Sequence, residues 1–586
     1  MTTLSRRLFR AAAPLALTAL LAIPSGAGAQ GIAGPYLAAQ HAEGRGDVVA
    51  AARLYSEALA RDSENEALIE RAMLHQIAAG NVEEGIALAR RYEDVQPGHH
   101  LGVLALATDG LMKDDPETVR ALLDSSGPFV GRVIDAWATY ASDDAEGAIA
   151  MLQELENADD NGLPGQIVAA YHVGLIAAAI GDDEMAEEAL SRAADLADGG
   201  TLRLARLRAG ALARLGRDDD AIAVIKERLA GTYGNLPLTR LAESIEAGQE
   251  PPVIVDTASK GAAEVLYGVS GLLARGRNRL IALAYSRLAT YLDPDLTEAQ
   301  LLIAQILDRD EQYEAAIAAY AKIPDDAAEA LTAQIGMAEA MQAAGEAEEA
   351  IEALYETVDR FPNELEAHTS LGDMLRRESK FEDAGKAYDG AVALLPSIEP
   401  YHWALFYQRG ITFERSKQWD KAEADFRKAL ELEPDQPDVL NYLGYSFVEL
   451  GRNLEEAEKM IEKAVEQRPE DGYIVDSLGW VLYRVGEFDR AVPHLEKAVE
   501  LRPVDPIIND HYGDALWMVG RKIEAVFQWK RALSFEPEDD VAERIRKKLD
   551  VGLDVVIAEE EAAGKPAIIG RSTDTKDEGD TTNDGG

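Results

Sequence analysis

The chain has 586 residues, no cysteine, and 105 Asp and Glu against 58 Lys and Arg, giving a formal net charge of −47 at pH 7. The lack of cysteine excludes a disulfide framework, thiolate metal ligation, a thiol nucleophile and haem attachment. The negative field disfavours nucleic acid and anionic membrane surfaces and allows basic partners.

The first predicted element is a targeting signal. Arg6, Arg7 and Arg10 precede an apolar run from Ala11 to Ile23, and Ala27-Gly28-Ala29 is a small-x-small cleavage site. Residues 1–29 therefore predict a signal peptide and a mature start near Gln30. The run, about thirteen residues, is too short to span a bilayer as a mature helix. Ser5-Arg6-Arg7-Leu8-Phe9 also has the form of a twin-arginine signal, so export is expected by that route or the general secretory one. The expected location is the periplasm. No Cys follows the signal to carry a lipid, so neither a lipid anchor nor a mature transmembrane span is expected.

Residues 30–250 predict a degenerate array of helix pairs. Its units are marked by Ala51/Tyr55/Ala58, Met73/Gly85/Ala89/Pro97, Gly174/Ala186/Leu190/Ala193 and Ala209/Ala221/Ile225. The acidic runs Asp182–Glu184 and Asp218–Asp220 fall between paired helices, where carboxylates cap the second helix. Pro251-Pro252 removes backbone donors and enforces extended chain, so residues 251–261 predict a linker or irregular connection.

Residues 262–537 predict a regular array, ruled by Pro434, Pro469, Pro503 and Pro537 at spacings of 35, 34 and 34. Within each interval the same residue types recur. A small residue stands first (Gly410, Gly444, Gly479, Gly513) and an Ala in the middle (Ala422, Ala457, Ala491, Ala525). A large apolar residue follows four later (Phe426, Ile461, Leu495, Trp529), then a second Ala (Ala429, Ala464, Ala498, Ala532). Leu371-Gly372, Ala384, Tyr388, Ala391 and Pro396 make an earlier unit, and Ser397–Pro400 a short inserted loop. The Gly and first Ala permit close crossing of two helices, and the Pro ends the second. A period near ~34 with helical patterning marks stacked helix pairs that cannot bury their faces alone. Residues 538–563 predict a capping helix bearing Arg544, Arg546, Lys547 and Lys548, and residues 564–586 a disordered tail.

Through Leu478-Gly479, Leu482, Ala491, Leu495, Ala498 and Pro503 the array resembles the tetratricopeptide repeat family, most specifically over Gly410 to Pro537. The resemblance implies an all-α, right-handed superhelical α-solenoid of helical hairpins with a concave groove, which binds proteins and is not an enzyme. No catalytic, nucleotide or metal motif is present, and no cofactor is expected. His99-His100 follows Pro97-Gly98 in a turn, and Gly268-Val269-Ser270-Gly271 lacks the spacing of a nucleophile elbow.

On the repeat frame, the first helices should present Tyr407, Asn441, Tyr445, Tyr473, Asp476, Trp480, Tyr483, Arg484, Asp510 and Trp517 to the groove. Aromatics with Arg, amide and carboxylate neighbours are the composition of interface hot spots. Asn441, Asp476 and Asp510 occupy equivalent positions suited to hydrogen-bonding a peptide backbone. The alternative for this set is packing inside a tight superhelix, whereas Trp529 is expected in the core. Asn441–Tyr445, Asp476–Arg484 and His511–Trp517 further resemble C-terminal repeats of proteobacterial envelope proteins of this type. One kind is a lipoprotein adaptor that delivers substrates to a periplasmic C-terminal processing protease. This chain departs from that kind in having no Cys to lipidate. The expected function is a periplasmic scaffold or adaptor that captures peptides or subunits during envelope assembly or proteolysis. Its partners would be other proteins or peptides, among them an envelope protease or export machinery. The alternative is a purely structural spacer in a polysaccharide- or pilus-export assembly.

Overall fold

The computed structural model describes residues 31–123, 127–158, 161–229 and 236–564. The expected signal peptide, and the expected tail from 565 onward, lie outside the described residues. Among those described there are 31 α-helices and no strand. The four ruler prolines each follow a second helix: Trp419–Leu432, Leu454–Gln467, Phe488–Leu501 and Lys522–Ser534. Helix starts follow the acidic signals. Asp182 accepts a hydrogen bond from the Met185 backbone N–H at 3.0 Å, and Asp218, Asp219 and Asp220 fill the first turn of Asp218–Leu229.

One contact recurs where several hairpins close. A Cβ added to Gly410, Gly479 or Gly513 would lie 2.5–2.7 Å from Phe426, Leu495 or Trp529, sixteen residues on. Gly372 meets Tyr388, and Gly174 in the degenerate region meets Leu190, at 2.7 Å in each case. The second helix lays its large side chain directly on the first helix's backbone. The paired Ala residues, Ala422 and Ala429 through Ala525 and Ala532, are fully buried beside it.

The chain forms two compact units, Met1–Ala353 and Leu354–Gly586. The expected division at 251–261 falls inside the first. Its backbone is irregular from Pro251 to Asp256, but Val255 is buried and packing continues across it. Gly261 lets the helix Ala258–Ala274 lie flush on the Trp137 ring of Phe129–Ala141. Trp137 Nε1 donates to His172 Nδ1 at 3.0 Å. Tyr171 and Arg203 donate to the buried carboxylate of Glu264 at 3.0 and 2.9 Å, and Arg203 also holds Glu298. The next helix, Arg279–Leu292, packs on Glu66–Ala79, and Gln312 Nε2 donates to the Arg45 carbonyl at 3.2 Å. Helices assigned from sequence to the start of the regular array thus fold back onto the first part of the chain. Local backbone chemistry breaks the helix at Pro251-Pro252; buried apolar and ionic contacts keep both sides in one body.

Among the described residues one helix, Gly162–Ala179, is long and apolar enough to cross a membrane by length and composition. Here both neighbours, Ala145–Asn157 and Asp183–Leu196, pack on it and bury Val173, Leu175 and Ile176.

In the second unit, Phe426, Phe447, Ile461, Leu495 and Trp529 belong to one continuous core. Replacing Gly479 by Ala forces a Cβ to within 2.5 Å of Leu495, and we expect a loss of about 1–3 kcal/mol. Gly268, in the interior of Ala258–Ala274, has open space around it. There Ala should stabilise by about 0.5–1 kcal/mol through helix propensity. Denaturant unfolding of both variants, followed by circular dichroism, checks the opposite signs.

Candidate protein-binding site

The candidate residues lie on first helices of the second unit. Pro437–Leu450, Gly472–Arg484 and Pro506–Met518 neighbour one another directly, forming a layer distinct from the second helices. Trp403–Arg415 joins through Tyr407, whose ring meets Tyr442 edge-on at 6.0 Å. Tyr407 is half-buried, and burial pushes its phenol up to about 12.

The centre of the layer is closed by contacts between repeats. His511 Nδ1 pairs with the buried Asp476 carboxylate at 2.9 Å. The imidazole stacks on Trp480 with centroids 3.9 Å apart, and Trp480 stacks on Tyr483 at 4.9 Å. Trp480 Nε1 and Arg484 Nη1 both donate to Glu449 Oε1 at 3.0 Å. Burial lowers the His511 pKa, but the adjacent Asp476 carboxylate outweighs it, so the net shift is upward.

Beyond this stack, Lys548 Nζ donates to both oxygens of Asp510 at 2.8 Å and to Asp514 at 2.6 Å, with all three side chains buried. Trp529, fully buried as expected, donates Nε1 to the same Asp514 oxygen at 2.9 Å. Burial raises the Asp514 pKa, but Lys548 and Arg544 overcome it and hold the carboxyl below its ordinary value. The expected polar cap, 538–563, is therefore two helices, and one of its lysines is a core residue. A buried carboxylate pair demands a cation, and Lys548 and Arg544 supply it.

The remaining candidates are more open. Tyr473 is 53% exposed, with the Arg502 guanidinium 4.8 Å from its ring centre. Asn441 and Tyr445 are half-buried one helical turn apart. Burial, then the Glu449 and Asp476 charges, push the Tyr445 phenol well up. Trp517 is half-buried, donates Nε1 to Asp554 at 3.1 Å and lies under Lys522 Nζ, 4.3 Å from the ring centre. Buried polar atoms with no hydrogen-bond partner in the layer include Gln408 Oε1, Asn441 Oδ1, the Tyr483 hydroxyl and Asn509 Oδ1.

The structure thus gathers Asp476, Trp480, Tyr483 and Arg484, as their shared helix face predicts, and adds His511 and Glu449. It places Tyr407 and Trp517 at either end of the layer. His511, Arg544 and Lys548 were missed as site residues. Each stands about one repeat beyond the group it serves, 35 residues for Asp476–His511 and 38 for Asp510–Lys548. That spacing is the signal that would have found them. Among the described residues no group of three or more His, Asp or Glu is placed to hold a metal ion.

Tetratricopeptide repeat models match residues 332–364 and 363–536. These segments are tetratricopeptide repeats. A tetratricopeptide repeat-containing protein of Pseudomonas aeruginosa is 28% identical over 166 residues, 28% of this chain and 28% of that one. The matched segment therefore spans under a third of that relative's length. Among solved structures, the Cut9–Hcn1 hetero-tetramer of the APC/C aligns over 84% of this chain and 98% of its own, at 14% identity and a TM-score of 0.36. YrrB, a tetratricopeptide repeat protein with an unusual peptide-binding site, aligns over 34% of this chain and 99% of its own, at 20% identity and a TM-score of 0.27. A tetratricopeptide array is a protein-interaction scaffold, and such proteins are in general not enzymes.

Two outcomes follow from these contacts. Lys548→Ala leaves two buried carboxylates facing each other and should cost about 3–5 kcal/mol, read as a lowered unfolding midpoint of the second unit. His511 binds its proton more tightly folded than unfolded. Its contribution is therefore full below about pH 6.5 and lost as pH rises through the folded pKa. Hydrogen exchange in Gly472–Arg484 should accelerate as pH rises above about 6.5, after correction for intrinsic rates, and His511→Gln should flatten that slope.

Proposed function

We propose that the chain is an exported protein-binding scaffold or adaptor that captures peptides or protein subunits on the first-helix layer between Tyr407 and Trp517. One observation carries the reading: Asn441 Oδ1 and the Tyr483 hydroxyl, like Gln408 Oε1 and Asn509 Oδ1 on the same first helices, are buried without a hydrogen-bond partner. An unpaired buried polar atom costs about 1–3 kcal/mol. A peptide backbone offers both donors and acceptors to such atoms. The half-open rings of Tyr407 and Tyr445 and the exposed ring of Tyr473 flank these atoms and supply apolar area at low entropic cost.

The setting proposed is the periplasm, on the strength of residues 1–29, and the process is envelope assembly or proteolysis. Delivery of substrates to an envelope protease is the sharper form, supported by the resemblance across Asn441–Gly520. The net charge of −47 favours basic partners through long-range attraction. The spacer alternative draws support from the number of inner side chains already satisfied within the array, notably Asp476, Arg484 and Asp510.

Site-specific photo-crosslinkers separate the two. With crosslinkers at positions 445, 473 and 463 in the exporting cell, adducts to other envelope proteins should form at 445 and 473 and exceed those at Lys463, which lies on a second helix. Adding Asn441→Ala should weaken capture about tenfold, or 1.4 kcal/mol. Equal or absent labelling at all three positions, in a protein whose helicity is unchanged, would favour the spacer.

A further inference from the structure

The last two helices depart from the repeat. Asp539–Val551 stands one period after Pro506–Met518, and Leu553–Ala562 follows it with only Gly552 between. That glycine has φ +86°, and a Cβ on it would come within 3.0 Å of the Trp517 ring. The reversal therefore happens against the first-helix layer. Asp554 accepts from Trp517 Nε1 at 3.1 Å and from Lys522 Nζ at 3.3 Å. Glu560 accepts from Arg544 Nε at 2.7 Å, while Arg544 Nη1 reaches Asp514 at 3.1 Å. Lys547 pairs with Glu559. Leu553, Val556 and Ile557, at i, i+3 and i+4, are buried, and Leu553 and Ile557 join the core of the second unit.

The final helix is thus an acidic amphipath lying on an aromatic and cationic seat. Its hold is weak for physical reasons. A helix of ten residues is shorter than those that persist alone in water. The Lys522–Asp554 and Lys547–Glu559 pairs are solvent-exposed and contribute little. Elements held by few buried contacts and exposed ion pairs open at the low end of the local-stability range. The seat also contrasts with its surroundings. On a chain of net charge −47, Lys522 stands over the Trp517 ring, while Arg544 and Lys547 pair with Glu560 and Glu559 of the final helix. Screening over about 8 Å at physiological salt lets that local field act on a docked segment despite the overall charge.

We propose that the surface formed by Trp517, Lys522, Arg544 and Lys547 is a docking site for an acidic amphipathic helix of a partner protein, occupied in the free chain by the chain's own Leu553–Ala562. The inference rests on the reading of the first-helix layer as a binding surface and adds a partner chemistry and a gate. A tethered helix competes at millimolar effective concentration. A partner helix therefore enters only if it binds more tightly than the resident one, or if a second contact elsewhere on the array has already brought it near.

The test uses the full chain and a fluorescent synthetic peptide with the sequence of residues 552–564. Asp554→Lys combined with Glu560→Lys reverses charge on the resident helix and leaves the seat intact. Hydrogen exchange over 553–562 should rise in this variant while the repeats stay protected. The variant should bind the peptide at least about tenfold more tightly than the wild type. Adding Lys522→Glu and Lys547→Glu, both exposed, should abolish that gain, as should raised salt. The proposal is overturned if exchange over 553–562 does not rise. It is equally overturned if the opened variant fails to bind the peptide, or binds it regardless of the two lysines. Crosslinking at positions 445 and 473 reports separately on capture by the rest of the layer, so either reading can fail without the other.

Discussion

The contact between a glycine on one helix and a large side chain sixteen residues later is the constraint on which the hairpins depend. With no Cβ on Gly372, Gly410, Gly479 or Gly513, the second helix can set Tyr388, Phe426, Leu495 or Trp529 straight onto backbone. Close approach buries the flanking alanines completely and fixes the crossing of each pair. Phe426, Leu495 and Trp529 then belong to one continuous core, and the array extends because no pair is finished by itself. Gly174 and Leu190 show the same contact in the first unit, where the rest of the motif has decayed.

On that framework the second unit adds a polar layer that ties one first helix to the next. Asp476 with His511, Glu449 with Trp480 and Arg484, and Asp510 with Lys548 each span about one period. Buried charges of this kind are weak evidence for stability and better evidence for a defined arrangement, because each needs its one partner in place. The layer also holds unpaired buried atoms, among them Asn441 Oδ1 and the Tyr483 hydroxyl. The same helices therefore stack the repeats and offer contact points to a partner.

The first unit illustrates a different use of the same hairpins. Trp137, His172, Tyr171, Arg203 and Glu264 join helices from both sides of Pro251-Pro252. That segment reads as a boundary in the sequence because prolines announce local backbone geometry strongly. The contacts that override it join residues 61 or more positions apart, as with Arg203 or Tyr171 and Glu264, and no period in the sequence announces them.

The sequence by itself determined the all-α class, the hairpin period, the helix ends and the burial of Trp529, since each depends on residues within one repeat. It also placed Asp476, Trp480, Tyr483 and Arg484 on one face, because helical spacing alone settles that. Tertiary structure decided which of those side chains are closed and which remain open. Trp480 is sealed by His511 and Glu449, Trp517 is half covered by Gly552 and Asp554, and Tyr473 stays exposed. The difference lies in range. A helix face is fixed by neighbours three and four residues away, whereas its cover comes from another helix a full repeat distant, whose docking the local pattern does not encode.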